Sequence, residues 1–455
     1  MTIRNISPVE NKSSRKSRHL HHEDEKVPLL PTKREEDGGF SEFNGASFAG
    51  AVFNLSTTIV GAGIMSLPAT MKLLGLVPGI LMIIFVAFLT EASIEMLIRY
   101  SRAGKTNSYA AVMGDTFGKI GRMLLQICVV VNNLGVMIVY MIIIGDVLSG
   151  TSASGVHHSG VLEGWFGEQW WNGRAVVLLV TTLCIFAPLT CFKRVVGLAV
   201  VFVVITAGIA IVKLLNGSIP MPKLFPSLTD LASISNIFTV VPVLVTSYIC
   251  HYNVHTIENE LEDASQIQPI VQTSLALCST IYVTTSLFGF LLFGDSTLDD
   301  VLANFDSNLG IPYSGLLNDV VRVSYALHIM LVFPIIFFAL RLNLDGLLFP
   351  SSRPLSSDNR RFGTMTIILL SVIFLAANFI PSIWDAFQFT GATATVFIGF
   401  IFPAAIALRD PHSIATKWDK IISVFMIALA VLSNSIAICS DIFALFQKSK
   451  PSPWS

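Results

Sequence analysis

The sequence predicts an all-α integral membrane protein with eleven transmembrane helices, and two observations carry this prediction. Of the 455 residues, 53% are hydrophobic and only 13% are charged, whereas soluble globular chains carry about 25% charge. The mean hydropathy is +0.69. The chain also contains eleven apolar runs, each long enough to cross about 30 Å of hydrocarbon. These runs occupy 47–72, 76–98, 123–148, 174–191, 195–215, 235–256, 270–293, 319–343, 364–381, 384–408 and 420–446.

The segment before the first run, residues 1–44, is too polar and charged to bury a core, and we expect a disordered tail. It lacks the basic and apolar regions of a cleavable signal peptide, so the first run would act as its own signal anchor. The tail and the loops on its side hold 22 of the 29 Lys and Arg residues. The positive-inside rule therefore places the tail in the cytosol. Residues 45–447 form the predicted transmembrane domain, and an odd helix count places the tail 448–455 on the non-cytosolic side.

The first run is interrupted by two glycines and a proline between Gly61 and Pro68. Inside a helix, glycine costs about 1 kcal/mol and proline about 3 kcal/mol relative to alanine. A helix broken at membrane depth offers N–H groups to an anion and carbonyl groups to a cation. An amino-acid zwitterion carries both charges. The predicted substrate-binding residues here are Gly61, Ala62, Gly63, Ile64, Met65 and Ser66. A packing kink is the alternative, and Ser66 could simply cap the second half-helix.

The sixth run contains a second interruption, from Thr246 to His255, with polar groups that are costly inside a membrane. Runs one and six hold corresponding places in two groups of five. Paired broken helices indicate the binding site of an inverted-repeat transporter. The sequence therefore predicts a 5+5 inverted repeat with the eleventh helix as an accessory. Two unrelated kinks are the alternative.

Further candidate substrate ligands are polar side chains within the apolar runs. From the second interruption come Thr246, Ser247 and Cys250, although Thr and Ser in membrane helices often bond to their own backbone. In run three, Asn132 either joins two helices or touches substrate. In run ten, Thr390 lies in a patch of small residues, which helix packing explains as well as substrate access does.

The two interrupted runs together resemble the amino acid/auxin permease family. The matching residues are Phe53-Asn54-Leu55-Ser56, Gly61-Ala62-Gly63-Ile64 and Leu67-Pro68 in the first helix, and Cys250-His251, Val254, Ile257 and Glu260-Leu261 in the sixth. The resemblance spans about 46–446 and is strongest to the vacuolar amino-acid transporters of plants and fungi, which are related to the system A/N sodium-coupled neutral amino acid transporters. It implies a leucine-transporter-like fold of eleven helices and amino-acid transport by alternating access. Tyr252 and Thr256 depart from the animal pattern, which commonly has proline at these positions.

The resemblance also bears on the driving ion. Sodium-coupled relatives bind sodium between the first and eighth helices, using an Asn before the break and a hydroxyl on the eighth helix. The corresponding residues here are Thr57 and either Met330 or Val332. Since Met and Val side chains offer no oxygen, we expect proton coupling instead. A histidine titrates unperturbed near about pH 6.5, so His251 is the first candidate and His328 the reserve. A neutral His251 bonded to a neighbouring carbonyl is the alternative.

These observations predict a secondary transporter of mainly neutral amino acids, in the vacuolar or endolysosomal membrane or in the plasma membrane. Glu25 with Leu29 and Leu30 resembles an acidic dileucine signal, which a sorting adaptor would bind. The alternatives are an amino-acid sensor that signals through its N-terminal tail, a sodium-coupled transporter, an acidic-amino-acid transporter and a channel. The channel is the weakest alternative because no filter-like repeated motif is present.

Several other classes are disfavoured by the sequence. No phosphate-binding loop is present, so ATP cannot drive transport within this chain. The six cysteines form no CxxC pair and indicate neither a disulfide framework nor a zinc site. No catalytic constellation is visible, so we expect no enzyme activity, no cofactor and no bound metal. No basic surface interleaved with aromatic residues suggests nucleic-acid binding.

Overall fold

The structure is a computed structural model. It describes residues 46–153, 156–184, 195–217, 219, 222–226, 231–306, 308–349, 355–380 and 382–448. The predicted sorting residues Glu25, Leu29 and Leu30 lie outside the described residues, as do the rest of the tail 1–44 and residues 449–455.

The described part of the chain is mostly helical. The helices are α1 (Phe48–Ile59), α2 (Gly63–Leu74), α3 (Leu76–Ala103), α4 (Tyr109–Ser149), α5 (Val161–Phe166), α6 (Arg174–Cys184), α7 (Val195–Leu215), α8 (Leu231–Tyr248), α9 (His251–Glu260), α10 (Ile267–Phe293), α11 (Ser314–Leu348), α12 (Asn359–Phe379), α13 (Ile383–Thr390), α14 (Phe402–Arg409) and α15 (Lys417–Lys448). A β-hairpin follows α4, with strands β1 (Gly150–Ala153) and β2 (Val156–Ser159) antiparallel and Gly150 opposite Ser159.

Within the described residues, eight helical segments are long and apolar enough to cross a membrane, or nine when α1 and α2 count as one bent span. The predicted helical membrane protein is therefore confirmed. Two shorter apolar helices, α6 and the part of α7 from Val201, coincide with the fourth and fifth apolar runs. Eleven spans and the inverted repeat stay predictions.

Local sequence signals explain where several helices begin and end. Ser47 and Ser108 cap α1 and α4, because each hydroxyl accepts a hydrogen bond from the backbone amide three residues later. Gly75 separates α2 from α3 with a φ of 77°, a conformation that glycine adopts without strain. A Cβ at this position would lie 2.7 Å from the backbone of Phe225. Gly118, with a φ of 70°, divides α4 into a short first part and a long span.

The span Ile383–Arg409 is not a regular α-helix. Between α13 and α14 it contains two π-helical segments, Gly391–Thr395 and Phe397–Ile401. Such segments are rare in proteins, and those that occur are often found at functional sites. They widen the helix where it packs against α4 and α8.

Both ends of the bundle carry polar contacts between elements. At the end that holds the β-hairpin and residues 294–313, named here the hairpin end, Arg322 donates to Ser159 O (2.6 Å) and Lys72 donates to Thr297 O (3.0 Å). Lys223 and Asp295 form an ion pair at the same end (2.9 Å). The opposite end is named here the basic end, and ion pairs between side chains hold it together. They are Arg102 with Glu258 (3.4 Å) and Arg99 with Asp419 (2.6 Å).

Candidate substrate site at two helix breaks

The first predicted break is present between α1 and α2. α1 ends at Ile59, α2 begins at Gly63, and the two half-helices are bent by 60°. The Val60 amide still donates to Ser56 O (2.8 Å), but the Gly61 amide donates two residues back, to Ile59 O (2.8 Å). The backbone therefore leaves helical geometry inside a buried span.

Side chains from α10 and α11 meet the three carbonyl oxygens at this break. The contacts are Tyr282 Oη to Ile59 O at 2.6 Å, His328 Nε2 to Val60 O at 3.3 Å and Tyr325 Oη to Gly61 O at 2.6 Å. Tyr325 Oη donates to its carbonyl, and His328 does so when Nε2 carries the proton. The single proton of Tyr282 Oη goes either to Ile59 O or to Ser247 O, which also lies 2.6 Å away. The partial negative charge at the C-terminal end of α1 is thus stabilised by groups of the chain itself.

The second predicted break is present at Ile249 and Cys250, between α8 and α9. It is milder than the first, because the two halves continue as a single span, Ile237–Glu260. Cys250 is fully buried and immediately precedes α9, with a φ of −144° and a ψ of 1°. The amide of Asn253 donates to Cys250 O (2.9 Å) and starts the new half-helix.

The two breaks lie against each other. A Cβ built on Gly63 would come within 2.5 Å of Ser247 Oγ and 2.8 Å of Ser247 Cα, so only glycine allows this approach. The hydroxyl of Tyr282 lies 2.6 Å from both Ile59 O and Ser247 O. The C-terminal ends of α1 and α8 and the N-terminal ends of α2 and α9 therefore converge, which brings partial charges of both signs together.

The predicted anion-binding amides are partly engaged within the chain. The amide of Ile64 donates to Gly61 O (3.4 Å) and that of Met65 to Ala62 O (3.1 Å). The Tyr140 hydroxyl of α4 lies close to the backbone amide of Ala62. A Cβ at Gly61 would lie 2.5 Å from this hydroxyl. An anion at this site has to share these amides or replace the Tyr140 hydroxyl.

The remaining hydroxyls near the breaks differ in their partners. Thr246 Oγ1 donates to Pro242 O (2.8 Å) and Ser247 Oγ to Val243 O (3.0 Å), both within α8. In contrast, Ser66 Oγ is buried and has no hydrogen-bond partner among the described residues. Ser66 is therefore the hydroxyl of this group that is available to a ligand.

Asn132 lies in a network that joins three spans. Thr395 Oγ1 donates to Asn132 Oδ1 (2.7 Å), and the Tyr252 hydroxyl of α9 lies close to the Asn132 side chain. Thr390 packs closely on Gly135 of α4, and a Cβ added to Gly135 would collide with the Thr390 side chain. In this arrangement Asn132 links α4 to α9 and to the first π-helical segment, one of the two roles that the sequence left open.

The π-helical segment also contacts the second break. A Cβ on Gly391 would lie 2.6 Å from Pro242 O and 2.8 Å from Thr246 Oγ1. Thr246 therefore faces the span that carries Thr390, and both residues are buried. The structure thus brings the predicted residues of runs one, three, six and ten into one region.

His251 is buried at the second break, and its Nε2 lies 2.7 Å from Ser93 Oγ. Ser93 Oγ also lies 2.9 Å from Thr90 O, which can only accept a hydrogen bond. Because a hydroxyl has one proton, both contacts are satisfied when Ser93 donates to Thr90 and accepts from His251 Nε2. His251 Nδ1 is then the unprotonated nitrogen of a neutral ring, and it has no partner among the described residues.

The residues at the sodium-site positions offer few oxygens. Thr57 Oγ1 donates to Phe53 O of its own helix (2.7 Å), and Met330 and Val332 have no oxygen in their side chains. The neighbouring break carbonyls are already acceptors for His328 and Tyr325.

Three tyrosines at the breaks were not predicted from the sequence: Tyr140, Tyr282 and Tyr325. All three are buried within long apolar helices. A tyrosine hydroxyl in such a position needs a hydrogen-bond partner. A tyrosine within a long apolar run was therefore the sequence feature that could have indicated these contacts. The identity of the partner depends on packing between distant segments, which the local sequence does not specify.

Comparison with known proteins defines the family. Residues 44–446 match the family model described as transmembrane amino acid transporter protein. The chain belongs to this family. It is 65% identical to the amino acid transporter AVT6A of Arabidopsis thaliana, over 93% of this chain and 95% of that protein. It is 63% identical to the amino acid transporter AVT6B of the same plant, with the same coverage. The family and these relatives are transporters, not enzymes.

Solved structures support the fold. A manganese transporter of Eremococcus coleocola covers 90% of this chain, with a TM-score of 0.59 and 15% identity, and the match spans 89% of that transporter. MhsT, solved in complex with L-phenylalanine, covers 87% of this chain, with a TM-score of 0.57 and 13% identity, and the match spans 99% of MhsT. At these identities the likeness concerns the fold, which is that of the leucine transporter. No cluster of three or more His, Cys, Asp or Glu able to hold a metal occurs within the described residues.

Proposed function

We propose that this protein is a proton-coupled secondary transporter that moves mainly neutral amino acids by alternating access. The observation that carries the proposal is the meeting of two helix breaks at Gly63 and Ser247. Half-helix ends of both signs converge there, and an α-carboxylate and an α-amine need partners of opposite sign. The substrate would contact the region of Gly61–Ser66, with Thr246, Ser247, Cys250, Asn132 and Thr390 around it.

A preference for neutral amino acids follows from the side chains around the breaks. The contacts there come from hydroxyl, amide and imidazole groups, and within the described parts of the chain no Lys, Arg, Asp or Glu side chain takes part in them. A charged substrate side chain would lack a countercharge in this region, which makes its burial costly.

Proton coupling is supported by what replaces the sodium ligands. The carbonyls of the first break accept hydrogen bonds from His328 and Tyr325, whereas sodium would require them as ligands. Both predicted proton-coupling residues, His251 and His328, are buried at the breaks. His251 offers an unpartnered ring nitrogen and is the first candidate for the coupling group.

The proposal includes a topology. α6 and α7 would complete eleven spans, α1–α2 and α8–α9 would begin the two halves of an inverted repeat, and α15 would be the accessory helix. The basic end would face the cytosol, together with the N-terminal tail. The hairpin end would face the lumen of the vacuole or an endolysosome, or the outside of the cell if the protein resides in the plasma membrane.

The test is amino-acid flux in proteoliposomes under separately imposed sodium and pH gradients, with a panel of labelled amino acids. We expect neutral amino acids to accumulate when a pH gradient alone is imposed. Flux that follows sodium and ignores pH would favour the sodium-coupled alternative. Substrate binding without flux under any gradient would favour the amino-acid sensor.

A further inference from the structure

One face of α9 carries a row of titratable side chains. His251, His255 and Glu258 are spaced at i, i+4 and i+7, which places them on the same side of an α-helix. Both histidines are buried, with 1% and 2% exposure. Glu258 lies nearer the basic end, where its carboxylate meets Arg102. The row therefore leads from the second break toward one end of the bundle.

Three ring nitrogens in this row have no hydrogen-bond partner among the described residues: His251 Nδ1, His255 Nδ1 and His255 Nε2. An unsatisfied buried polar group costs about 1–3 kcal/mol, and buried polar groups are bonded in the large majority of cases. At a position where the side chain serves packing alone, an apolar residue would make the fold more stable than a histidine with unbonded ring nitrogens. Water-mediated proton transfer between the rings gives these nitrogens a use.

The elements packed against α9 place few fixed charges on this row. α1, α10 and the π-helical segment Phe397–Ile401 contain no Asp, Glu, Lys, Arg or His. Their titratable groups are hydrogen-bonded: Cys278 to Ser56 O and Tyr282 to the break carbonyls.

α3 and α4 carry the charged groups that flank α9, and most of them have partners. On α3, Glu91 accepts from Gln272, Arg99 pairs with Glu95 and with Asp419 of α15, and Arg102 meets Glu258. On α4, Asp115 meets His412, Asp146 meets Arg174, and Tyr109 donates to Ile398 O. The side chains of Lys119 and Arg122, also on α4, reach solvent. On α9 itself, the Tyr252 hydroxyl lies close to the Asn132 side chain. Glu258 and Arg102 are thus the charged pair at the end of the histidine row.

We propose that His255 is a proton-transfer residue between His251 and Glu258, so that the face of α9 is the path of the coupling proton to the basic end. His251 takes up a proton at Nδ1 and passes it, through water, to a ring nitrogen of His255. His255 passes it on to Glu258 or to solvent, and each ring returns to its neutral state. This inference rests on the proposed function, because it assumes that protons drive transport.

The experiment compares His255→Gln with wild-type protein in proteoliposomes. Glutamine keeps hydrogen-bonding capacity but cannot titrate. We expect uptake driven by a pH gradient, and proton flux followed by an entrapped pH dye, to fall by about tenfold or more. Substrate exchange at equal pH on both sides should stay within about twofold of the wild-type rate, because exchange requires no proton to be released at the basic end. A structural role for His255 would instead reduce both pH-driven uptake and exchange. The matched control is His157→Gln, an exposed histidine of the β-hairpin, which should behave as wild type.

Glu258→Gln provides a second variant, because glutamine has nearly the same shape as glutamate and can still accept the hydrogen bond from Arg102, but it cannot titrate. It should also slow pH-driven uptake while sparing exchange. If wild-type protein responds to the pH gradient and both variants behave like it, the path along α9 is wrong and the proposed function stands. If wild-type protein ignores the pH gradient, the proposed proton coupling itself fails, and this inference with it.

Discussion

Tyr282 offers one hydroxyl proton to two carbonyl oxygens that belong to different broken helices. It lies 2.6 Å from Ile59 O and from Ser247 O, and it can donate to one of them at a time. The side chain therefore ties the end of α1 to the end of α8, and it can exchange its donor bond between them. The Tyr282 hydroxyl therefore contributes to the stability of the contact between the two breaks.

Replacing Tyr282 with phenylalanine removes this donor and leaves buried carbonyl groups without it. We expect the variant to lose about 1–3 kcal/mol of stability, measured as a lower unfolding temperature in detergent, and to transport more slowly. Tyr313→Phe is the control, since the Tyr313 side chain is 81% exposed. Equal unfolding temperatures for Tyr282→Phe and wild type would contradict the role of this hydroxyl.

Gly63 is the second residue that the site depends on. Replacing it with alanine puts a Cβ within 2.8 Å of the Ser247 backbone, so the two breaks have to separate. We expect uptake to fall below about a tenth of the wild-type rate while the protein still inserts into the membrane, because the site is distorted and the apolar spans are unchanged. The larger Gly63→Leu should abolish uptake.

The control for this prediction is Gly164→Ala, where an added Cβ meets nothing within 4 Å. Surface delivery and detergent-solubilised yield should be alike for the two alanine variants. Normal flux in Gly63→Ala would show that the contact between the breaks is not required for transport.

At the scale of elements, the segment Val301–Asp306 closes the hairpin end by packing against α2, α11 and β2. Asp300 precedes it, outside the membrane-spanning helices, and is buried. Burial, and next the nearby Asp146, raise the pKa of Asp300 to about 8, although the Leu302 amide and Arg322 act in the opposite direction. One carboxylate oxygen, Oδ2, has no partner among the described residues. The packed segment therefore favours a neutral Asp300.

The sign of the pH dependence follows from this raised pKa. An unfolded aspartate titrates near about 3.9, so the stability of the packed segment is greatest below that pH and is lost as pH rises toward about 8. Asp300→Asn, which stays neutral, should remove this dependence. Hydrogen exchange of the amides of residues 301–306, corrected for intrinsic rates, measures it between pH 5 and pH 8.

The matched control is Asp295→Asn, since the Asp295 side chain is 64% exposed. It should keep the wild-type slope of exchange against pH. An Asp300→Asn protein whose protection still decreases with rising pH would place the titrating group elsewhere.

At the scale of the whole molecule, the sequence predicted the parts that local composition determines. Hydropathy located the eight or nine candidate spans of the described residues, and the run 319–343 became the helix Ser314–Leu348, because helices continue past the apolar core into polar residues. Both breaks were located from glycine, proline and polar residues within apolar runs. The family followed from the residues at these breaks and is confirmed.

What could not be predicted depends on contacts between distant segments. Tyr282 bonds to a carbonyl 223 residues away, and Thr395 bonds to an amide 263 residues away. The π-helical segments also escaped prediction, since the sequence around Gly391 resembles an ordinary small-residue packing patch. Local sequence identifies a polar group that needs a partner, and only the packed fold identifies the partner.

Location is also a property of the whole molecule, and the tail residues Glu25, Leu29 and Leu30 carry our prediction of it. Changing both leucines to alanine should move the protein from the vacuolar or endolysosomal membrane to the plasma membrane, because an adaptor would no longer bind the tail. Fluorescence microscopy of tagged protein measures the distribution, with Leu20→Ala as the control. An unchanged distribution would remove the basis for the sorting signal.

Dissolved ions act more strongly on the exposed contacts of the bundle than on the buried ones. At the hairpin end, Arg322 is 4% exposed and bonds to backbone carbonyls, which salt screens weakly. At the basic end, Arg102 is 51% exposed in its pair with Glu258, and surface pairs weaken when the screening length falls below about 8 Å. Salt therefore weakens exposed pairs at both ends, Lys223 with Asp295 at the hairpin end and Arg102 with Glu258 at the basic end, and leaves the buried contacts of Arg322 nearly unchanged.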